Sequence, residues 1–322
     1  MPRIAVLCIA LALALPAEAL AQAWPAKPVR MLVGFPPGGG TDILARIVAQ
    51  KLAQAWGQQV VVENRPGASA TIAANAVARA APDGYTLSMG QLTPNAIAPA
   101  LIAKLPYDAA KDFAPIALVG TSPNVLVIYP GLPVRSVAEL VALAKSAPKP
   151  LTYATSGAGS LQHIAAELFR SMAGVEMVHV PFKGSGQAVV DLMSGQVDMN
   201  FDSIPATVQH IRSGKLRALA VTAARRAGGG LEGVPTIAES GFPGYDLTTW
   251  WGLFAPAATA NPILDRINSD TLAALKNPEV RDRFAGLSVE PGGGSRAEFG
   301  DYVRREIAKY DKLVKQLGIK AE

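Results

Sequence analysis

Two glycine-rich segments are the places in this chain where backbone groups could bind an anion. Residues 34–42 contain three successive glycines, and residues 155–160 contain two glycines among small residues. Each segment follows an apolar, strand-like run and precedes a helix-like run. Glycine leaves the N–H groups uncovered and a helix N-terminus carries partial positive charge, so such a junction binds an anion well. Two of them, far apart in the sequence, predict two lobes that hold one acidic ligand.

The first glycine segment differs from both common nucleotide-binding loops. No Gly-Lys-Ser/Thr follows it, as a P-loop requires, and the dinucleotide spacing Gly-x-Gly-x-x-Gly is missing. Thr41 or Asp42 could cap the helix that follows. The alternative to a binding loop is a tight strand-to-helix connection with an ordinary cap.

The second glycine segment adds hydroxyl groups to its backbone donors. Thr155, Ser156 and Ser160 stand beside the two glycines, and hydroxyl and N–H donors together suit a carboxylate. His163 falls on the first turn of the next helix. It is either a ligand contact or a packed, capping histidine.

Two further strand-to-helix junctions carry a charged residue. Lys183 precedes a Gly-Ser-Gly run, where it could meet an acidic ligand or remain solvated. Asp202 follows a buried strand, where it could receive an ammonium, a hydroxyl or a water molecule. The alternative for Asp202 is a cap on the helix expected at residues 204–211.

Catalytic and metal-binding patterns are missing from the sequence. There is no Gly-x-Ser-x-Gly motif, and the three histidines lack metal-ligand spacing. Only residue type supports a cluster of Ser156, His163 and Asp202. We therefore expect no enzyme activity, no metal site and no cofactor. Trp250 and Trp251 are expected to be structural, with stacking against a ligand ring as the alternative.

The N-terminus has the pattern of an export signal. Arg3 precedes an apolar run at residues 4–15, and small-residue patterns place the cleavage after Ala21 or Ala23. Residues 1–23 are thus a predicted signal peptide, and the mature protein is expected to be exported. The only cysteine, Cys8, lies in this signal, so no disulfide is expected. The net charge of +5 is spread along the chain, without the clustered basic stripe of a nucleic-acid-binding protein.

Strand-like and helix-like runs alternate along the mature chain, which predicts α/β layers with largely parallel strands. The expected strands cover residues 29–35, 59–63, 85–89, 116–129, 151–154, 177–180, 197–201 and 216–222. The expected helices cover residues 43–56, 71–80, 137–145, 161–172, 187–193, 204–211 and 297–317. The chain is expected to cross between two lobes near residues 121–125 and 245–250.

Several short motifs together resemble the Bug family, the periplasmic solute receptors of tripartite tricarboxylate transporters. They are Trp-Pro-Ala-Lys-Pro at 24–28, Phe-Pro-Pro-Gly-Gly at 35–39, Val-Val-Val-Glu-Asn-Arg-Pro-Gly-Ala at 60–68, Pro-Asp-Gly-Tyr-Thr at 82–86, Leu-Pro-Tyr-Asp at 105–108, Lys-Asp-Phe at 111–113, Val-Pro-Phe-Lys-Gly at 180–184 and Val-Pro-Thr-Ile-Ala-Glu-Ser-Gly at 234–241. The resemblance covers essentially the whole mature chain.

The resemblance implies a two-lobed periplasmic-binding-protein fold, type II-like, with the ligand cleft between the lobes. The first lobe would comprise residues 24–122 with 248–322, and the second residues 123–247. It also implies a monomer that binds a carboxylated small molecule and delivers it to the permease subunits of a membrane transporter. The alternative is a receptor of the same fold that presents its ligand to a sensor protein.

The binding loops of the family fall here on residues 35–42, 91–93 and 155–160, and around Lys183 and Asp202. The expected ligand-binding residues are Phe35, Gly38, Gly39, Gly40, Thr41, Asp42, Gln91, Thr93, Thr155, Ser156, Gly157, Gly159, Ser160, His163, Lys183 and Asp202. Gln91 departs from the small hydroxyl residue common in the family. Its longer amide would shorten the pocket or add a donor.

Overall fold

The structure is a computed structural model that describes residues 24–319. Its strands are β1 (Val29–Val33), β2 (Val60–Asn64), β3 (Thr86–Gln91), β4 (Phe113–Ile128), β5 (Leu151–Thr155), β6 (Met177–Pro181), β7 (Met199–Ser203), β8 (Arg217–Val221), β9 (Thr248–Pro256) and β10 (Glu290–Pro291). Its helices are α1 (Gly40–Trp56), α2 (Thr71–Ala78), α3 (Ala98–Leu101), α4 (Val137–Ser146), α5 (Leu161–Ala173), α6 (Ser185–Met193), α7 (Ile204–Arg212), α8 (Asn261–Lys276), α9 (Pro278–Gly286) and α10 (Arg296–Leu317). Short helical turns occupy Ala68–Ala70 and Thr93–Ile97.

The strands form one curled sheet with two halves that share β4. In the first half, β2, β1 and β3 are parallel, and β9 lies antiparallel between β3 and β4. In the second half, β6, β5 and β7 are parallel, and β4 pairs antiparallel with β7 and β8. Strand β4 changes partner between two adjacent residues. Pro123 pairs with Thr248 of β9, and Asn124 pairs with Ser203 of β7. The predicted α/β class is confirmed.

The apolar core is continuous across the junction between the halves. One buried cluster joins Leu32 and Phe254 of the first half to Ile164 and Phe201 of the second, together with Val314 of α10. Burying side chains of this size stabilises the fold by about 1.5–3 kcal/mol each. Helix α10 contacts β4, α3 and α5, so it packs across the junction.

The first glycine segment folds differently from the sequence-based expectation. Helix α1 begins at Gly40 rather than at residue 43, because Gly39 is extended and acts as the N-cap without any side-chain hydrogen bond. The prediction that Thr41 or Asp42 caps α1 is therefore wrong. Asp42 instead reaches back, and its Oδ2 accepts a hydrogen bond of 3.0 Å from the Gly38 N–H.

The helix predicted at residues 137–145 begins where expected, with Ser136 as its N-cap. The Ser136 Oγ accepts a hydrogen bond of 3.1 Å from the Glu139 N–H, as expected for a serine N-cap. In residues 24–319 no helix is long and apolar enough to cross a membrane. The predicted export signal falls on residues 1–23, outside the described residues.

Candidate ligand-binding site

A cavity lies between the two halves at the carboxyl ends of the parallel strands. Crevices at this edge of α/β sheets are the usual ligand sites. We call it the main cavity. The predicted site residues that line it are Phe35, Gly39, Gly40, Thr41, Gln91, Thr93, Ser156 and Asp202.

Four helices begin at the main cavity, and they come from both halves. Gly40 starts α1 in the first half, while Leu161 and Ser185 start α5 and α6 in the second half. Ser203, the N-cap of α7, also lines the cavity. Each helix N-terminus carries partial positive charge, so their convergence favours an anion between the halves.

The start of α1 offers unused backbone donors to this cavity. Within residues 24–319, the N–H groups of Gly39, Gly40 and Thr41 make no hydrogen bond, since the chain's own bonds resume with Ile43 N–H to the Gly39 carbonyl. The Thr41 Oγ1 accepts a hydrogen bond of 3.0 Å from Trp251 Nε1. Its own hydroxyl proton is therefore available to a ligand.

Side chains from both halves add further donors. The hydroxyls of Thr93, Ser156 and Ser203 and the Gln91 Nε2 line the cavity and have no hydrogen-bond partner in the described part of the chain. The Gln91 Oε1 accepts from the Thr93 N–H at 2.8 Å, which leaves the amide nitrogen as the free end. The Gln91 amide nitrogen is thus a donor that faces no other protein group in residues 24–319.

The second glycine segment uses its N–H groups internally. Ser156 N–H donates to the Gln162 Oε1, Gly157 N–H to the Thr155 Oγ1 at 3.2 Å, and Gly159 N–H to the His163 Nδ1 at 3.1 Å. Ser160 caps α5, and its Oγ accepts from the His163 N–H. This segment therefore presents the Ser156 hydroxyl, rather than a row of N–H groups, to the main cavity.

His163 is a packed histidine in this structure and does not line the cavity. Its ring stacks on His179 with 4.2 Å between ring centres, and Thr155 Oγ1 lies 2.7 Å from the His179 Nε2. Burial lowers the pKa of His163 below its ordinary value, although the Glu167 carboxylate opposes this. A neutral ring is thus favoured, which keeps Nδ1 available as the acceptor for Gly159.

Asp202 holds the second half of the site in place through four hydrogen bonds. Its side chain is fully buried, and it accepts hydrogen bonds from Gln162 Nε2 at 2.5 Å, Ser185 Oγ at 2.7 Å, the Ser203 N–H at 2.7 Å and Asn200 Nδ2 at 3.0 Å. Burial raises the pKa of Asp202 above its usual value against these four hydrogen bonds, which lower it. The carboxyl group therefore ties the starts of α5 and α6 to the end of β7.

A second cavity adjoins the main cavity and shares Thr93 and Ser156 with it. We call it the side chamber. Of the predicted site residues, Gly157, Gly159 and Lys183 line this chamber and not the main cavity. The predicted residues that line neither space are Gly38, Asp42, Thr155, Ser160 and His163.

Asp42 has a structural role beneath the first loop. Its carboxylate accepts hydrogen bonds from Arg46, from the Gly38 N–H and from Asn64. Burial alone would raise the pKa of Asp42, but these hydrogen bonds outweigh it and hold the pKa below its ordinary value. A charged Asp42 fixes the loop that carries the free N–H groups.

Several residues that line the main cavity were not predicted. They are Asn124, Leu161, Gln162, Ser185, Ser203, Thr249 and Trp251. Ser185 and Ser203 stand at helix starts next to the predicted Lys183 and Asp202, so their position was a usable signal. Trp251 lines the cavity, whereas Trp250 is fully buried with its Nε1 3.2 Å from the Glu306 Oε2. Among residues 24–319, no three His, Cys, Asp or Glu side chains form a group that could hold a metal ion.

Residues 44–319 match the family model described as the tripartite tricarboxylate transporter family receptor. The chain belongs to this receptor family. BugT of Bordetella pertussis is 37% identical over 301 residues, which cover 93% of this chain and 92% of BugT. The family predicted from the short motifs is confirmed.

Two solved structures with bound acids are similar to this chain. R. palustris Rpa4515 with adipate has 38% identity and a TM-score of 0.90, and the match covers 93% of this chain and 100% of that one. MatC from Rhodopseudomonas palustris with bound malate has 35% identity and a TM-score of 0.86, over 90% of this chain and 100% of that one. The predicted two-lobed binding-protein fold is confirmed, and the family is one of transporter receptors.

Proposed function

We propose that this receptor captures a carboxylated small molecule in the main cavity and delivers it to the permease of a tripartite tricarboxylate transporter. The observation that carries the proposal is the set of free N–H groups of Gly39, Gly40 and Thr41 at the start of α1. The acids bound by Rpa4515 and MatC, adipate and malate, support the same ligand class.

One ligand carboxylate would accept hydrogen bonds from these N–H groups and from the Thr41 hydroxyl. Hydrogen bonds to a charged group contribute about 1.5–3 kcal/mol each. The opposite half would add the hydroxyls of Ser156 and Ser203. Neither half alone supplies the full set of donors, so the complete site requires both halves in contact with the ligand.

We further propose that the ligand stabilises a closed arrangement of two lobes, residues 24–122 with 248–322 and residues 123–247. The halves approach closely at the main cavity, since a Cβ on Gly40 would lie only 2.7 Å from the Ser203 Oγ. The strand crossings near residues 121–125 and 245–250 would act as the hinges. A ligand that contacts both lobes binds the closed state more tightly and shifts the equilibrium towards it.

A thermal-shift screen with mono-, di- and tricarboxylates tests the ligand class. An acid present at 100 times its Kd should stabilise the fold by about 2.7 kcal/mol, and the matching amides should not. Chromatography of the recovered acid should show it unchanged. Stabilisation by the amides alone, or a product that accumulates with time, would contradict the proposal.

Closure and delivery need separate measurements. Small-angle scattering should show a smaller radius of gyration with saturating acid than without it, and an identical profile would contradict closure. We propose that residues 1–23 direct export and that the mature chain acts as a monomer. Uptake of the labelled acid by cells that carry the permease should require the receptor, whereas a transcriptional response without uptake would favour a sensor partner.

A further inference from the structure

Three successive glycines at residues 228–230 hold the second half against the first at a place that lines neither the main cavity nor the side chamber. The segment follows β8 and lies on the turn between α9 and β10. A Cβ on Gly229 would lie 2.6 Å from the Ala285 carbonyl oxygen and 2.7 Å from the Ser288 Oγ. Gly229 also has a φ of 65°. Glycine therefore permits a close approach that a larger residue would prevent.

Ser288 supplies a buried hydrogen bond at this contact. Its Oγ donates to the Gly228 carbonyl at 2.6 Å, and the residue is 8% exposed. Its φ of 54° lies in the left-handed region, which is uncommon for a residue other than glycine. Such a conformation persists only where the surroundings hold it. The bond to the opposite half is one of the contacts that hold the turn in this conformation.

Apolar packing and a charged side chain enlarge the contact. Leu287 packs against the buried clusters of both halves. Arg212, the last residue of α7, donates to the Gly229 carbonyl at 2.5 Å and to the Gly286 carbonyl at 3.0 Å. Gly286 ends α9, where the last carbonyl groups of a helix favour a cation. Because Arg212 is exposed, we expect its bonds to contribute less than the buried bond of Ser288.

Helix α7 connects this contact to the main cavity. We call residues 228–230, residues 285–288 and Arg212 the clasp. The N-cap of α7, Ser203, lines the main cavity, and a Cβ on Gly40 would lie 2.7 Å from its Oγ. Arg212 lies at the other end of this helix of 9 residues, about 13 Å away. Both ends of α7 therefore contact the first half, so a movement that opens the main cavity also acts on the clasp.

We propose that the clasp stabilises the closed arrangement of the two halves and so raises the affinity for a ligand that it does not touch. This inference rests on the proposed function, in which the ligand binds most tightly when both halves contact it. Apparent affinity falls in proportion to the population of the binding-competent state. Loss of the clasp should therefore weaken every ligand of the main cavity by one common factor.

The variant Ser288→Ala removes the buried hydrogen bond of the clasp. In calorimetry, adipate and malate should both bind about fivefold more weakly, which corresponds to the loss of one hydrogen bond. Ser213→Ala is the matched control, because the hydroxyl of this exposed serine bonds the His210 carbonyl within the second half. Unchanged affinity, tighter binding, or a loss confined to one of the two acids would overturn the proposal.

A pair of glycine variants separates the clasp from backbone strain. Gly229→Ala and Gly214→Ala both place a Cβ at positive φ, 65° and 72°. The first Cβ meets the Ala285 carbonyl oxygen, whereas the second meets open space. Gly229→Ala should weaken both acids by fivefold or more, and Gly214→Ala should leave them unchanged. Equal affinities in the two folded variants would contradict a role for the clasp.

Spin labels measure the clasp without any ligand. Ala55→Cys on α1 and Ala138→Cys on α4 place one label on an exposed position of each half, and Cys8, the only native cysteine, lies in the predicted signal. Pulsed EPR of the free protein should show a smaller closed population when Ser288→Ala is added. If the wild type bound neither acid, the proposed function would fail, and this measurement alone would decide on the clasp. Identical distance distributions with and without Ser288→Ala would then overturn it.

Discussion

The loop at residues 34–42 and the loop at residues 155–160 both join a strand to a helix, and they differ in what their backbone N–H groups contact. In the first loop, the Asp42 carboxylate accepts a hydrogen bond from the Gly38 N–H. The N–H groups of the next three residues, 39–41, make no hydrogen bond within residues 24–319. In the second loop, side chains of the following helix turn back and occupy the N–H groups of Ser156 and Gly159. The same sequence pattern thus produces one loop with open donors and one that is closed on itself.

The glycines of the second loop are explained by the opposite half of the molecule. A Cβ on Gly157 would lie 2.9 Å from the Ser69 Oγ, and a Cβ on Gly159 would lie 2.7 Å from the Leu101 Cδ1. Both glycines have positive φ, 129° and 73°. A glycine-rich loop beside a cleft can therefore serve close approach of two lobes as well as direct contact with an anion.

The largest expected effect on carboxylate affinity comes from adding a side chain at Gly40 in the first loop. Gly40→Val places side-chain atoms between the free N–H groups and the second half, so at least two charge-assisted hydrogen bonds are lost. At about 1.5–3 kcal/mol each, carboxylate affinity should fall by roughly 100-fold or more, as measured by calorimetry. Gly233→Val is the matched control, because its Cβ meets open space. Unchanged affinity in folded Gly40→Val would remove the first loop from the site.

The next effect tests whether the second loop is held by its own helix. Gln162→Leu leaves the Ser156 N–H and the buried Asp202 each without one partner. Unfolding in urea should show a free energy of unfolding lower by about 2–6 kcal/mol, since each of the two buried groups that loses a partner costs about 1–3 kcal/mol. Gln209→Leu, at an exposed position of α7, should cause no comparable loss. Equal stability of the two variants would argue against the internal bonding of this loop.

A smaller effect separates backbone strain from contact between the halves. Gly159→Ala introduces a Cβ at positive φ, which costs about 1–2 kcal/mol, and also presses on Leu101. Gly174→Ala has the same strain at φ 59° but meets open space. Acid affinity should fall in Gly159→Ala and not in Gly174→Ala, while both lose stability. The same affinity in the two variants would mean that Leu101 and the second loop need not approach each other.

The smallest effect concerns pH. The folded pKa of His163 lies below the ordinary value of 6.5, so the unfolded chain binds a proton first as the pH falls. The contribution of neutral His163 to the free energy of unfolding is therefore fully present above pH 6.5. It declines as the pH falls from 6.5 through the lowered pKa of the folded state. His163→Asn should cost about 1 kcal/mol at neutral pH, from the lost ring stack, and should flatten this decline. The difference between the two unfolding curves isolates His163 from His210, which is present in both, and an unchanged slope would contradict its contribution.

The positions of the loops were easier to predict from the sequence than the hydrogen bonds within them. The alternation of apolar runs and the start of α4 at Val137 depend on residues a few positions apart, so both could be predicted. The start of α1 at Gly40 was missed, because glycine has weak helix preference and only the extended Gly39 sets the boundary. Trp251 could not be placed, because its position in the cavity follows from the pairing of β9 with β4.

The sequence by itself determined the α/β class, the strand-to-helix loops at the carboxyl edge of the parallel strands and, through its short motifs, the receptor family. These properties follow from local periodicity and turn chemistry, which neighbouring residues encode. Only the tertiary structure decided which N–H groups remain free, that Asp202 binds Gln162 and Ser185 rather than solvent, and that two adjoining cavities share Thr93 and Ser156. The physical reason is that a hydrogen-bond donor's partner depends on which distant segment packs against it, and that choice is made by the whole fold.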